Sequence, residues 1–337
     1  MIRIGLMGCG AVATYGHMPA IQSTPGLALA SVFDPSAERL AATQKQFGVK
    51  HVFTDVEAFF RSEIDAVVIT SPAPAHLANV LDAARHRKPV LCEKPLAMSE
   101  AEGNRMIDAM AAAGLPLYVG FPYRFAAPAM KIKQLIRENA IGRVRSLRLV
   151  YNWDAHGKYV DRDPARGDNP RRHGRMIEGG PMVDCGVHQI DLARWWLGAE
   201  ITQFHGVGAW VDDYDSPDHV YVHASMDNGA HLMVEMSYSF GHTASEPRPH
   251  FIYELIGTEG VIRYDREQKL FELVNGGGVQ SLEWGHEKGF DAMYVAFAHA
   301  LETGEPGDLA TAADGQAATR VALNATLQAT AARVKNS

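Results

Sequence analysis

Short apolar runs alternating with stretches of helical periodicity fill the first third of the chain. Ile2–Met7, Ala28–Phe33, His51–Phe53, Ala66–Thr70, Val90–Cys92 and Leu117–Phe121 read as strands. Between them Pro19–Ser23, Pro35–Phe47, Val56–Arg61, His76–Arg87 and Ser99–Ala113 read as helices. Ala66–Thr70 is an apolar run without alternation, the pattern of a parallel strand covered on both faces. Pro35 stands at an expected helix start, where its missing N–H costs nothing. Ser99 with Glu102 three residues later has the spacing of a capping box. Repeated strand–helix units predict an α/β domain of Rossmann type, with a doubly wound parallel sheet.

The pattern changes near residue 122. Pro128–Glu138 keeps helical spacing. The chain then becomes strand-rich, with Val144–Trp153, Ile201–Val211, Val220–Met226, Ala230–Ser239, Phe251–Gly257, Val261–Tyr264 and Lys269–Val274. Asp227-Asn228-Gly229 is a hairpin-type turn, and consecutive hairpins predict a mainly antiparallel sheet in an α+β domain. One helix, Pro181–Leu197, interrupts the strands, and helices at Phe290–Glu302 and Ala312–Val334 close the chain. The change of pattern divides the chain into 1–122 and 123–337, with the last helix able to pack on either domain.

Composition narrows the function classes. A formal charge of −7 argues against a nucleic-acid binder, which normally carries a basic face. No apolar run is long enough to span a bilayer, and Met1–Met7 reads as a strand rather than a signal peptide. The three cysteines, Cys9, Cys92 and Cys185, are far apart and form no metal or disulfide pattern, so a reducing, cytoplasmic setting is expected.

Four segments carry candidate chemistry. Gly8-Cys9-Gly10-Ala11-Val12-Ala13 follows the first strand directly. Glycines at Gly8 and Gly10 permit a tight turn and let the backbone approach a pyrophosphate, which would sit on N–H groups of the following helix, from Ala11 and Val12 onward. Asp34 ends the second strand, 24 positions after Gly10, near the ~20-residue spacing at which an acidic residue accepts hydrogen bonds from a dinucleotide ribose. It would repel a 2′-phosphate, which favours NAD, although Arg39 nearby keeps NADP open. The bland alternative is a structural glycine turn with Asp34 as a helix cap. Thr70-Ser71-Pro72-Ala73-Pro74-Ala75-His76 lies where open α/β sheets bind ligands. His76 reads equally as a cofactor contact and as a helix-start residue without a ligand.

Cys92-Glu93-Lys94-Pro95 ends another strand. A lysine partly desolvated there is readied for proton transfer or for hydrogen bonding to a substrate oxygen. On these residues alone a surface Glu–Lys pair is the stronger reading. Asp184 and His188 are four apart and would share a helix face with Asp191 and Trp195. A carboxylate beside an imidazole orients the ring and raises its basicity; taken alone, the pair reads first as an intrahelical contact. No third ligand at metal spacing accompanies it, so no metal is expected. Tyr151–Met176 reads as a polar, self-neutralising loop. It carries Arg162, Arg166, Arg171, Arg172 and Arg175, and a sharper reading has one or two of them, Arg171 and Arg172 first, clamp a carboxylate or phosphate on the substrate, with Tyr123 and His156 as further candidate contacts.

These pieces in this order resemble the glucose–fructose oxidoreductase / inositol dehydrogenase (Gfo/Idh/MocA) family, over nearly the whole chain. The carriers are Gly8-Cys9-Gly10, Ser71-Pro72 with His76, Glu93-Lys94-Pro95-Leu96-Ala97, Val119–Phe125, Ile141–Val144, and Gly179-Gly180 followed by Asp184-Cys185-Gly186-Val187-His188 and Asp191–Trp195. The resemblance implies an NAD(P)-dependent dehydrogenase that interconverts a secondary alcohol and a ketone on a sugar, polyol or sugar-derived substrate. By the same implication Lys94, Asp184 and His188 line the substrate. His188 takes the hydroxyl proton, Asp184 fixes its ring, and Lys94 hydrogen-bonds the same oxygen. Thr70, Ser71, Pro72, Glu93, Pro122 and Arg124 would lie near the cofactor, and the open sheet would join a homodimer or homotetramer. Two departures stand near the expected site: Pro181 replaces a third glycine after Glu178, and Pro122 stands where the family often has Asn. A glycoside hydrolase with a transient internal redox step and a non-catalytic NAD-binding sensor remain alternatives.

Overall fold

The structure, a computed structural model, describes residues 1–155 and 170–333, with the backbone alone for 170–173. The chain divides into two compact units, Met1–Phe125 with Lys288–Ala317 and Ala126–Glu287 with the chain from Ala318 onward. The return of residues 288–317 to the first unit is not captured by a single cut at 122/123. Its cause is apolar: Met293, Tyr294 and Phe297 have no exposed surface and belong to the first unit's core. Burying one such side chain is worth roughly 1.5–3 kcal/mol.

In the first unit β1 (Ile2–Met7), β2 (Leu27–Phe33), β3 (His51–Phe53), β4 (Ala66–Ile69), β5 (Val90–Glu93) and β6 (Leu117–Gly120) run parallel in the order β6-β5-β4-β1-β2-β3. This is the doubly wound arrangement expected from the strand–helix alternation. The two-residue strand Ala310–Thr311 adds an antiparallel edge beside β6. The connecting helices are α1 (Met18–Ser23), α2 (Ala37–Phe47), α3 (Val56–Phe60), α4 (His76–Arg85) and α5 (Glu100–Ala112). Ser36 caps α2 by accepting from the Arg39 N–H, so Pro35 lies just before the cap rather than at the first helical position. The Ser99 hydroxyl accepts from the Glu102 N–H, while the Glu102 carboxylate returns to the Met98 N–H, one residue earlier than an ideal capping box.

In the second unit α6 (Ala127–Arg137) precedes β7 (Val144–Asn152), followed by α7 (Pro170–Ile177) and α8 (Val187–Leu197). Then come β8 (Ile201–Ala209), β9 (His219–Met226), β10 (His231–Ser237), β11 (His250–Gly257), β12 (Gly260–Asp265), β13 (Leu270–Asn275) and β14 (Gly278–Ser281). The eight strands lie in the order β14-β13-β12-β11-β7-β10-β9-β8. All neighbours are antiparallel except β7 and β10. Period-2 alternation buries Val220, Val222, Ala224 and Met226 on one face and turns His219, Tyr221 and His223 to the other. Almost every residue of α8 is buried. Two long helices complete the chain: α9 (Phe290–Thr303) in the first unit, and α10 (Ala312–Ala331), which begins in the first unit and continues in the second.

Four elements depart from the pattern read along the chain. Part of the expected 151–176 loop is the helix α7, and the signal for it is Pro170 at its first position. The edge strand β14 is exposed on both faces and carries no periodicity. Two helices open with π-helical turns, Ala13–His17 and Met182–Gly186, where regular α-helix was expected. Among the described residues no helix is long and apolar enough to cross a membrane.

Candidate functional site

The glycine turn after β1 is built against the end of β4. Gly8 has φ of +102°, and a Cβ there would stand 2.5 Å from the Ser71 nitrogen, so only glycine fits. Thr70 ties the turn down, its hydroxyl donating to the Gly8 carbonyl at 2.6 Å. Gly10 faces open space, since a Cβ on it would meet nothing within 4 Å. The helix beginning at Ala11 leaves its first N–H groups without intrahelical acceptors. Asp34, buried at the end of β2, accepts from the Cys9 N–H at 2.8 Å through one oxygen and from the Ser36 N–H at 2.8 Å through the other. A carboxylate oxygen so engaged still has a lone pair for a ribose hydroxyl. Asp34 is not the cap of α2; Ser36 is. Burial pushes the Cys9 thiol up to about 11, so it stays protonated beside the turn. A glycine cradle, unengaged helix N–H groups and a fixed carboxylate together fit a dinucleotide.

The end of β5 holds a buried polar cluster. Glu93 is 5% exposed, and its Oε1 lies 2.8 Å from Nε2 of His17, which is fully buried. Nδ1 of His17 lies 2.7 Å from the Tyr294 hydroxyl. Burial alone would raise the Glu93 carboxyl, but the hydrogen bond from His17, with the charge of Lys94 adding to it, holds it below the ordinary carboxylate range. Lys94 follows, half-buried, joined to Pro95 by a cis peptide bond. His76 is used within the fold rather than open to a ligand. One ring nitrogen meets the carbonyls of Pro95 and Leu96 at 3.0 and 3.2 Å, the other the Ser71 carbonyl at 2.9 Å. The ring sits between the Ser71–Pro72 loop and the turn after Lys94; burial holds its pKa low, against these carbonyls, which favour the charged ring, and the neutral ring donates to one side only. Ser71 accepts from Asn79. Pro122, Tyr123 and Arg124 form a buried 3-10 turn after β6, where the Arg124 guanidinium reaches the Asp308 carbonyl at 3.3 Å and Asp314 at 3.5 Å.

In the second unit Asp184 lies in the π-helical turn and His188 in α8 proper, so the expected four-residue α-helical register between them is interrupted. Gly179 and Gly180, at φ of +110° and +72°, turn the chain into this segment. Gly186 lets the turn close on β10, since a Cβ there would lie 3.0 Å from Met236. Three groups converge on one oxygen, Oδ2, of Asp184: the Tyr238 hydroxyl, the Arg175 Nε at 3.3 Å and the Cys185 thiol at 3.8 Å. Burial, then the Asp184 charge, pushes Tyr238 far above its ordinary range, so it remains a donor. Arg175 also packs over the rings of Trp153 and Tyr238, at 5.1 and 5.6 Å. His188 is 6% exposed. The sequence carries no signal that brings Tyr238 here, and Arg175, one of the arginines of the 151–176 stretch, meets Asp184. The alternation of β10 could point to an inward Tyr238, but no local signal pairs it with Asp184. His156, Arg162 and Arg166 lie outside the described residues, as do the side chains of Arg171 and Arg172.

The chain matches two family models. One is described as oxidoreductase family, NAD-binding Rossmann fold, over residues 2–121; the other as the GFO/IDH/MocA C-terminal domain, over residues 129–263. The chain is 29% identical over 269 residues to scyllo-inositol 2-dehydrogenase (NAD(+)) of Bacillus subtilis (strain 168), covering 77% of this chain and 73% of that protein. It is 28% identical over 274 residues to D-apiose dehydrogenase of Rhizobium rhizogenes, covering 80% and 75%. Its fold resembles that of an oxidoreductase from Agrobacterium radiobacter crystallised with NAD+, L-tartaric acid and magnesium, with a TM-score of 0.83 over 98% and 97% of the two chains at 23% identity.

Proposed function

From the premise that the chain belongs to the Gfo/Idh/MocA family of NAD-binding oxidoreductases, we propose that it interconverts a secondary alcohol and a ketone on a sugar, polyol or sugar-derived substrate. One observation carries this reading beyond the family. An Asp184 carboxylate gripped by Tyr238 and Arg175 stands four residues before a buried histidine, in a chain whose other unit is an NAD-binding Rossmann fold. Gly8, Gly10 and the N–H groups from Ala11 and Val12 receive the pyrophosphate, with Thr70, Ser71 and Pro72 walling the turn. Asp34 accepts from the adenosine ribose, which makes NAD the preferred cofactor. When bound, NAD supplies the hydride acceptor. What remains for the chain is proton chemistry and charge.

His188 takes the proton of the reacting hydroxyl, Asp184 stabilises the resulting imidazolium, and Lys94 hydrogen-bonds the same oxygen as negative charge develops. The family resemblance, not a measured distance, links Lys94 to Asp184 and His188. The relatives' substrates, inositol and apiose, support a polyhydroxylated substrate. The enzyme works in the cytoplasm, in keeping with three free cysteines. It assembles as a homodimer or homotetramer through the outer face of the eight-stranded sheet.

The test is NADH formation at 340 nm with NAD and then NADP, against scyllo-inositol, myo-inositol, D-apiose, aldoses and sugar acids. Turnover of one class with NAD is expected. With that substrate, Lys94→Ala and His188→Ala should each lower kcat by about 10²–10⁴-fold while NADH binding is retained. Full activity in either variant, or silence across the panel with NAD bound, overturns the reading.

A further inference from the structure

His17 is fully buried, and the proton chemistry above makes no use of it. It closes the π-helical turn Ala13–His17 that follows the glycine turn. Both ring nitrogens are engaged, Nε2 with Glu93 at 2.8 Å and Nδ1 with the Tyr294 hydroxyl at 2.7 Å. Phe290 packs edge-on against the His17 ring at 5.1 Å, and it fills the space beside Gly16, where a Cβ would stand 2.7 Å from it. A Cβ on Gly120 would stand 2.9 Å from Glu93 Oε1. Gly16 therefore admits the Phe290 ring that packs on His17, and Gly120 admits the Glu93 carboxylate, so a larger residue at either position would press on the pair.

The direction of the hydrogen bonds follows from the inventory of donors. An ionised Glu93 only accepts, so Nε2 of His17 carries a proton. The Tyr294 hydroxyl is buried and kept protonated, by burial first and by the charge of Glu93 second. If Nδ1 also carried a proton, the phenol proton would be left buried without this acceptor, at the cost of an unsatisfied donor. The chain of donation is therefore Tyr294 to His17 to Glu93, with a neutral imidazole in the Nε2–H tautomer.

We propose that His17 and Tyr294 are positioning residues of the NAD site: Tyr294 sets the tautomer of His17, and His17 holds the Glu93 carboxylate rigid at the end of β5, next to Lys94. On this view α9, contributed by the returning chain, is a working part of the cofactor unit. The orientation of Lys94 rests on the functional reading above; the effect on NADH binding rests on the placement of Glu93 near the cofactor that the family resemblance implies, in an NAD-binding fold.

The experiment uses the full chain and three variants. His17→Gln keeps a donor and an acceptor on one amide, Tyr294→Phe removes only the hydroxyl, and His17→Leu removes both bonds. Nitrogen-15 spectra of histidine-labelled protein, with the His17 signals assigned by their loss in His17→Gln, should show a neutral Nε2–H tautomer. NADH affinity, read from nicotinamide fluorescence, should weaken about 3–10-fold in Tyr294→Phe and more in His17→Leu, while His17→Gln stays within about threefold of the parent. Melting temperature is read alongside without cofactor. If His17→Leu does not fold, Tyr294→Phe and the spectra carry the test. An Nδ1–H tautomer or an imidazolium at neutral pH overturns the proposal. So does unchanged NADH affinity in Tyr294→Phe, or a His17→Gln variant as impaired as His17→Leu. A parent protein that binds NADH but oxidises no polyol counts against the proposed function and leaves this inference standing.

Discussion

At the scale of single residues, a proposed catalytic group is defined by what grips it. Asp184 alone could act as base, ligand or helix-surface carboxylate. With Tyr238 and Arg175 on one of its oxygens it is a fixed anion suited to stabilising a neighbouring cation rather than to shuttling protons. Tyr238→Phe deletes one hydroxyl and keeps the ring that packs against Trp153 at 5.7 Å. We expect kcat to fall about tenfold with little change in NADH affinity or melting temperature. If kcat is untouched while Asp184→Asn is inactive, Tyr238 has no part in positioning the carboxylate. The spacing of Asp184 and His188 is legible in the sequence because it is local. Tyr238 is not, because its contact with Asp184 joins positions 54 apart and is created only when β10 packs on the π-helical turn.

At the scale of elements, β1 is anchored at its start by a pair whose pH dependence has a definite sign. The Arg3 backbone N–H and guanidinium hydrogen-bond Asp65 at 2.8–3.1 Å, and Arg3 brings the Asp65 carboxyl down to about 2 against some opposition from burial. The folded value lies below the unfolded one, near 3.9. The stabilisation is therefore complete above about pH 5, where the unfolded carboxylate is ionised too, and is lost as pH falls toward the folded value. The pair is substantially exposed, so the effect is modest and weakens with salt. Urea midpoints from pH 5 to pH 2 should fall less steeply in Asp65→Asn than in the parent, and identical slopes would remove Asp65 from the acid limb. Elements show a second lesson in the π-helical turns. Both open helices that carry candidate chemistry, where such turns recur in proteins. Residue-level periodicity does not distinguish a wide turn from an α-helical one over five residues.

At the scale of the whole molecule, the outer face of the eight-stranded sheet is the proposed assembly surface. Arg148, Glu254, Arg263 and Glu272 alternate in charge across β7, β11, β12 and β13, at 3.0–3.7 Å between partners. Met233, Ile256 and Val261 line a hollow among them. Ile256, 51% exposed, is the test position. Ile256→Glu should halve or quarter the mass seen by light scattering while leaving the fold intact by circular dichroism. A parent protein that is monomeric at micromolar concentration would remove the proposal. What the sequence by itself determined is whatever depends on near neighbours along the chain: the parallel strand–helix order, the glycine turn with its conformational demand, the change to an alternating strand pattern, and the Glu-Lys-Pro and Asp-x-Gly-x-His segments that identify the family. Tertiary structure alone decided how each polar group is employed. His76 became a buried ring between two loops, His17 a buried link between Tyr294 and Glu93, and residues 288–317 part of the first unit. The physical reason is that hydrophobic burial selects partners by space rather than by sequence distance. A buried polar atom must then satisfy its hydrogen bonds with whatever that packing brings within 3 Å.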